Sequence, residues 1–259
     1  MKVIFIGAGN LATRLSLEMK RVGFTIAQVY SYTQEHASLL AEKLGCGWTT
    51  AIEDVRDDAE LYVFSLKDSV LSNVIAHIKP NQGIWIHTAG SMPMDVFAGF
   101  SNRYGVLYPL QTFSKQRAID FSIVPIFLES NNAEVAEKLK KIAFSISSSV
   151  YFLSSEKRKY LHLAAVYACN FTNHIYSEAF KLLASQDIPT AVLLPLIDET
   201  AAKVHVMAPS EAQTGPAVRY DENVINKHLA MLTDADMKSI YQLISKSIHK
   251  EVTDGEHQL

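Results

Sequence analysis

Short apolar runs alternate with stretches of helical period along the first half of the chain. Runs at Lys2–Ile6, Thr25–Tyr30, Leu61–Ser65, Gly83–His87, Tyr104–Leu107 and Val124–Leu128 have the length and content of buried strands. Between the first two, Leu11, Leu15, Met19 and Val22 recur at helical spacing across Leu11–Val22. Leu39, Leu40 and Leu44 repeat that pattern in Glu35–Leu44, Asn131–Ala143 reads as one more helix, and Ser149–Leu153 as a last strand. Strand and helix in alternation, joined by short breaks containing Gly or Asn, predict an α/β fold with a parallel sheet covered by helices.

The texture changes after Ser154. A long helical stretch opens at Ser155 and runs to about Gln186, where Asp187-Ile188-Pro189 breaks it. Thr190–Met207 continues as helix, with a bend expected where Pro195 removes a backbone donor. The loop Pro209–Tyr220 follows, then helices Asp221–Leu232 and Ala235–Lys250, and a polar tail after Glu251 expected to fray. The pattern divides the chain into an α/β domain over residues 1–154 and an all-helical domain over 155–259.

Composition narrows the class. Of 259 residues, 48% are hydrophobic and 20% charged, with a net charge of −3, which excludes a disordered chain and gives no basic surface for nucleic acid or an anionic membrane. The longest stretch without Asp, Glu, Lys or Arg, Tyr160–Ser177, carries His162, Asn170, Asn173 and His174, costly groups in lipid, and is expected to be a buried helix. Cys46 and Cys169 stand far apart, as buried thiols in a reducing compartment would. The opening MKVIFIGAGN has too short an apolar run for a secretion signal, so a cytoplasmic location is expected. No H-x-x-x-H pair or Cys/His cluster suggests a metal site, and neither G-x-S-x-G nor G-x-x-x-x-G-K-[ST] occurs.

The first strand runs into Gly7-Ala8-Gly9-Asn10-Leu11-Ala12, a G-x-G-x-x-A turn opening a helix. In a dinucleotide site the first glycine allows the sharp turn, the second lets backbone approach a pyrophosphate, and the third small residue packs helix on strand. The helix N-terminus then faces the phosphates. The second strand ends Gln28-Val29-Tyr30-Ser31-Tyr32-Thr33. An NAD site usually places Asp or Glu here to bind the ribose hydroxyls, but the first carboxylate is Glu35. Hydroxyls on Ser31 and Thr33 favour NADP, with NAD the alternative, while Tyr32 either stacks on adenine or is a plain strand-end residue. Ser65, Leu66 and Lys67 end another strand and are expected to line the nicotinamide half; His87, ending the next, either faces the ligand or satisfies neighbouring backbone.

In the helix from Ser155, His162, Val166, Cys169 and Asn173 share one stripe, Asn170 lies about 80° round from His162 and His174 about 120°. One reading makes His162 the proton donor or acceptor of a hydride transfer, Asn170 the holder of a substrate carbonyl or imine, and Lys203 the anchor of a substrate carboxylate. The other makes them a polar seam, with Glu199 and Lys203 an ordinary i,i+4 ion pair.

Taken together, the glycine turn, His87-Thr88-Ala89-Gly90, Gly105-Val106-Leu107-Tyr108-Pro109-Leu110-Gln111-Thr112-Phe113 and Gln213-Thr214-Gly215-Pro216-Ala217-x-Arg219-x-Asp221 resemble the Rossmann-like proteins with a DUF2520 C-terminal domain. These are similar to pyrroline-5-carboxylate reductase, the coenzyme F420-dependent NADP oxidoreductases and 6-phosphogluconate dehydrogenase-like enzymes. The resemblance spans residues 1 to about 245. It implies an N-terminal NAD(P)-binding Rossmann-type domain, a C-terminal helical domain that builds a homodimer, and a small-molecule substrate in a cleft between them. The chain departs from the pattern at Tyr108, where relatives often have His; at Tyr32, where many have Arg; and at Val166, where related dehydrogenases have Lys four residues before the helix Asn. The expectation is an NADP(H)-dependent oxidoreductase acting on a small carbonyl, imine or hydroxy acid. The alternative is a sensor or regulatory module that binds NADP(H) without chemistry.

Overall fold

The structure, a computed structural model, describes residues 1–256. Eight strands form one sheet: β1 (Lys2–Ile6), β2 (Thr25–Tyr30), β3 (Gly47–Thr49), β4 (Leu61–Phe64), β5 (Ile84–His87), β6 (Tyr104–Pro109), β7 (Ile126–Ser130) and β8 (Val150–Phe152). The helices are α1 (Asn10–Arg21), α2 (Gln34–Leu44), α3 (Asp68–Ile75), α4 (Ala133–Phe144), α5 (Ser155–Ala165), α6 (Thr172–Ala184), α7 (Leu194–Lys203), α8 (Pro209–Ala212), α9 (Glu222–Met231) and α10 (Ala235–Glu256). The chain divides into two compact units, Met1–Ile175 and Tyr176–Leu259. The pattern of the sequence puts a domain boundary at residue 154; in the structure α5 belongs to the same compact unit as the sheet.

Strand order is β3-β2-β1-β4-β5-β6-β7-β8. The first six follow the doubly wound order, which reverses direction between β1 and β4 and opens a ligand crevice at the carboxyl ends there. Val3, Ile4, Phe5 and Ile6 of β1 are all 0% exposed. Alternation sends Val3 and Phe5 to the face covered by α1, α2 and α4, and Ile4 and Ile6 to an aromatic layer of Tyr62, Phe64, Trp85 and Phe97. A parallel strand covered on both faces has no polar side, hence its unbroken aliphatic run.

Four differences from the sequence pattern have physical reasons. β3 is three residues long and was not expected, since it carries no periodicity to read. α3 was also not expected: it is one octet in which only Leu71 and Ile75, one turn apart, are buried, too short a stripe to read as a period. β7 runs antiparallel to β6, because the connection between them holds no crossover helix. The proline at 195 sits at the start of α7, after a 3₁₀ turn at Thr190–Leu193, and so opens that helix instead of bending one.

Tyr160–Ser177 is helical but not buried within this chain, as Tyr160, Leu163, Tyr167 and Phe171 are 75%, 52%, 64% and 51% exposed. Lack of charge marks a surface that avoids water; it does not say that the cover comes from the same chain. Cys169 is correspondingly exposed, while burial pushes the Cys46 thiol up. At the C-terminus α10 continues to Glu256, past the expected end at Lys250, and residues 257–259 of the expected frayed tail lie outside the described residues. No described helix is long and apolar enough to cross a membrane.

Candidate active site

The turn between β1 and α1 is shaped by two different glycines. Gly7 has φ +118°, and a Cβ there would lie 2.1 Å from the Ser65 carbonyl oxygen. Only glycine fits that close crossing onto β4. Gly9 caps α1 in extended conformation, φ −76°, with open space where its Cβ would stand. Ala8 and Ala12 are buried beneath, and Leu11 packs on the core. No side chain caps the first turn of α1 and no acidic residue lies in it, so its N–H groups and dipole remain available to an anion. Asn10 is exposed and its amide donates to the Phe113 carbonyl at 3.0 Å, while Arg14 donates to the carbonyls of Ser114 and Lys115. The loop after β6 is thus tied alongside the glycine turn. This cradle fits a dinucleotide pyrophosphate.

At the end of β2, Ser31 is buried, Tyr32 is 90% exposed, and Thr33 precedes α2 without capping it by its side chain. The hydroxyls of Ser31 and Thr33 have no hydrogen-bond partner among the described residues, and the first acidic group is Glu35 in the first turn of α2. At the end of β4, Ser65 accepts from the Thr88 hydroxyl at 3.2 Å. Leu66 lies against Gly7, and Lys67 is exposed before α3.

His87 takes the structural course. It is 0% exposed, Nδ1 accepts from the Ala89 N–H at 3.2 Å, and Nε2 faces the Pro93 carbonyl at 3.3 Å. Burial, aided by the nearby Arg158 charge, lowers its pKa to about 4. The ring is a neutral core group with both nitrogens in use, which favours the backbone-satisfying reading of His87 over contact with a cofactor.

His162 is brought to the carboxyl edge of the sheet by the anchoring of α5. Ser155, Arg158 and His162 follow each other at helical spacing on one face. Ser155 donates its N–H and hydroxyl to Glu129 of β7 at 2.8 and 2.7 Å, and accepts the Met94 N–H at 2.9 Å. Arg158, 1% exposed, donates to Glu129 at 2.5 Å, to the Met92 carbonyl at 2.6 Å and to Ser155 at 3.1 Å. One turn later, His162 stands over Gly90, and its Nδ1 meets the Tyr108 hydroxyl at 3.0 Å with the rings edge to face. Tyr108 ends β6 and is 8% exposed; burial pushes its hydroxyl up, and the Arg158 charge works against that rise. Burial also raises Glu129, but bonds from Ser155 and Arg158 outweigh it and hold the carboxyl below its usual range.

After α5 the helix widens into a π segment, Val166–Phe171. A π turn holds an extra residue and often marks a functional position. Asn170 lies within this segment. Asn170 is exposed, with no hydrogen-bond partner among the described residues. In the second unit Lys203 lies 3.8 Å from Glu199, the i,i+4 ion pair of the plainer reading. The Gln213–Asp221 motif ends with Asp221 capping α9 through the Val224 N–H at 3.2 Å.

Sequence reasoning did not place Tyr108, Gly90, Glu129 and Arg158 in the site. Tyr108 and Gly90 lie in motifs that carry the resemblance, at or just after the ends of neighbouring strands, whereas Glu129 and Arg158 gave no such signal.

Two family models match the chain. DUF2520, a domain of unknown function, covers residues 124–248, and the NADP oxidoreductase, coenzyme F420-dependent, model covers residues 2–88. Among solved structures, a Bacteroides fragilis protein provisionally assigned as an NADP oxidoreductase is 51% identical, with a TM-score of 0.91 over 96% of this chain and 98% of that one. A Thermotoga maritima protein, 23% identical, aligns over 96% of this chain and 99% of its own with a TM-score of 0.74. An imine reductase from Myxococcus stipitatus, solved in complex with NADP+, is 14% identical and aligns over 100% and 95% with a TM-score of 0.68. The last two share the fold. No curated protein matches the chain.

Proposed function

The chain belongs to the NADP oxidoreductase family that carries a DUF2520 domain, and we propose that it moves hydride between NADP(H) and a small carbonyl, imine or hydroxy acid. The observation that carries this reading is the Tyr108–His162 hydrogen bond of 3.0 Å at the carboxyl edge of the sheet. Open strand sheets bind ligands along that edge. Gly7, Ala8, Gly9, Asn10 and Leu11 would hold the pyrophosphate, Ser31, Tyr32 and Thr33 the adenosine end, and Ser65, Leu66 and Lys67 the nicotinamide end. Bound there, NADPH supplies a hydride to the electrophilic carbon.

The chain itself must supply the proton. As the C=O or C=N bond is reduced, its electron pair moves to the heteroatom, which needs a proton. Tyr108 occupies Nδ1 of His162, leaving Nε2 as the nitrogen that serves substrate. The doubly protonated His162 ring gives its Nε2 proton to that heteroatom, and the Nδ1–H that remains donates to the Tyr108 oxygen. The reverse reaction returns the proton to Nε2. Asn170, in the π segment after α5 and without a hydrogen-bond partner among the described residues, would hold the substrate heteroatom. Lys203 as a carboxylate anchor has less support, because Glu199 lies beside it.

We also assign the charge-free stripe of Tyr160, Leu163, Tyr167 and Phe171 to a second copy of this chain, since a stripe without charge packs against its own kind without burying an ion. Sedimentation of the wild type as a dimer and of Tyr167→Asp as a monomer would support this; a monomeric wild type would refute it.

A fluorescence titration with NADPH and NADH tests the cofactor assignment. NADPH is expected to bind at least about tenfold tighter, about 1.4 kcal/mol, with the preference lost in Ser31→Ala combined with Thr33→Val. No binding of either nucleotide would end the oxidoreductase reading.

A further inference from the structure

The cluster beneath His162 contains a buried ion pair that the reaction itself does not use. Arg158 is 1% exposed, and its partner Glu129 has a side chain 17% exposed. Burying two charges gains little stability over apolar residues of the same volume, and the best attested use of such pairs is to fix one arrangement among several. The bonding here is directional. Glu129 takes both donors of Ser155 and one from Arg158, Arg158 reaches across to the Met92 carbonyl, and Ser155 takes the Met94 N–H. Three segments meet at this point: β7, the start of α5, and the loop after β5. That loop is the one that carries Gly90, on which the His162 ring rests. Among the described residues Arg158 Nε is buried without a partner, so the cluster is not arranged to satisfy every donor.

We propose that Arg158 is the positioning residue of the Tyr108–His162 pair: locked to Glu129, Ser155 and Met92, it sets the rotation of α5 that places Nδ1 on the Tyr108 hydroxyl. The inference rests on the proposed reaction for its kinetic consequence, but the placement of the ring can be read without turnover. The buried guanidinium also acts on Tyr108, opposing the upward push of burial on its hydroxyl.

The test uses the full-length protein, ¹⁵N-labelled at histidine, with the His162 signals assigned by their loss in His162→Gln. In the wild type the two ring nitrogens are expected to give distinct signals, with Nδ1 held in the Tyr108 hydrogen bond. Arg158→Lys keeps the charge but loses the planar fork; Ser155→Ala removes the central hydroxyl with little change in volume. Both are expected to give a ring that averages its tautomers. In both, kcat should fall about tenfold or more from misplacement while NADPH affinity stays at the wild-type value. A wild-type nitrogen spectrum in the variants would overturn the proposal. So would a loss of activity that only tracks a lower melting temperature while the spectrum of the folded fraction is unchanged. Should Arg158→Lys fail to fold, Ser155→Ala decides alone. A wild type that turns over no carbonyl or imine would end the proposed function, and the nitrogen spectra would still decide the role of Arg158.

Discussion

Gly90 leaves room for His162: a Cβ at position 90 would lie 2.6 Å from Cγ and Nδ1 of the imidazole. Nδ1 is the atom that meets the Tyr108 hydroxyl at 3.0 Å. A single methyl group on the loop after β5 therefore cannot be added without moving the ring off its partner. Gly90→Ala is expected to lower kcat by about 10²-fold, with NADPH affinity unchanged because the glycine turn is untouched. Steady-state kinetics beside a binding titration check this. Full activity in Gly90→Ala would mean that the ring has no need of this position.

The glycines of the first turn should separate folding from binding. Gly7→Ala forces a left-handed φ on alanine and drives its Cβ into the Ser65 carbonyl, so a loss of roughly 2 kcal/mol or more in stability is expected. A Cβ at Gly9 meets no atom within 4 Å and the φ of −76° is an allowed one, so the melting temperature of Gly9→Val should stay close to the wild type. Its side chain would fill the space meant for phosphate, weakening NADPH by at least about tenfold. Thermal unfolding and NADPH titration of the two variants measure both halves. Equal NADPH binding by Gly9→Val would contradict the assignment of this turn.

Acid sensitivity should trace to His87. Its folded pKa is lowered from 6.5 to about 4 by burial and by the charge of Arg158. Between those values the unfolded chain binds a proton that the folded chain refuses, so stability is highest above pH 6.5, falls as pH drops toward 4, and then levels. The loss across that window is about 3 kcal/mol. His87→Asn, whose side-chain oxygen can accept the Ala89 N–H, should flatten this part of the curve of urea stability against pH. An unchanged slope in the variant would place the acid-labile group elsewhere.

The sheet was largely legible because β1 and β4 are buried on both faces and appear as near-continuous apolar runs, with β2 and β5 mostly apolar around Gln28 and His87. The glycine turn was legible for a similar reason, since Gly7 and Gly9 satisfy backbone demands that few other residues meet. Tyr108 and Arg158 were not legible. Their roles depend on α5 crossing back over the ends of β6 and β7, a contact at long sequence separation with no periodic mark. The π segment at Val166–Phe171 was not legible either, because a steady 100° step cannot anticipate it. The stripe from Tyr160 reads as core but is exposed in this chain, since freedom from charge marks a surface that avoids water without saying what covers it.

The central claim is that the Tyr108–His162 pair supplies the proton for an NADPH-dependent reduction. Single-turnover oxidation of bound NADPH, followed by stopped-flow against cyclic imines, ketoacids and aldehydes, tests it most directly. A wild-type burst that falls by about 10²-fold or more in His162→Gln, less steeply in Tyr108→Phe, with nucleotide affinity intact in both, is the predicted result. A burst of wild-type rate in His162→Gln would contradict the claim.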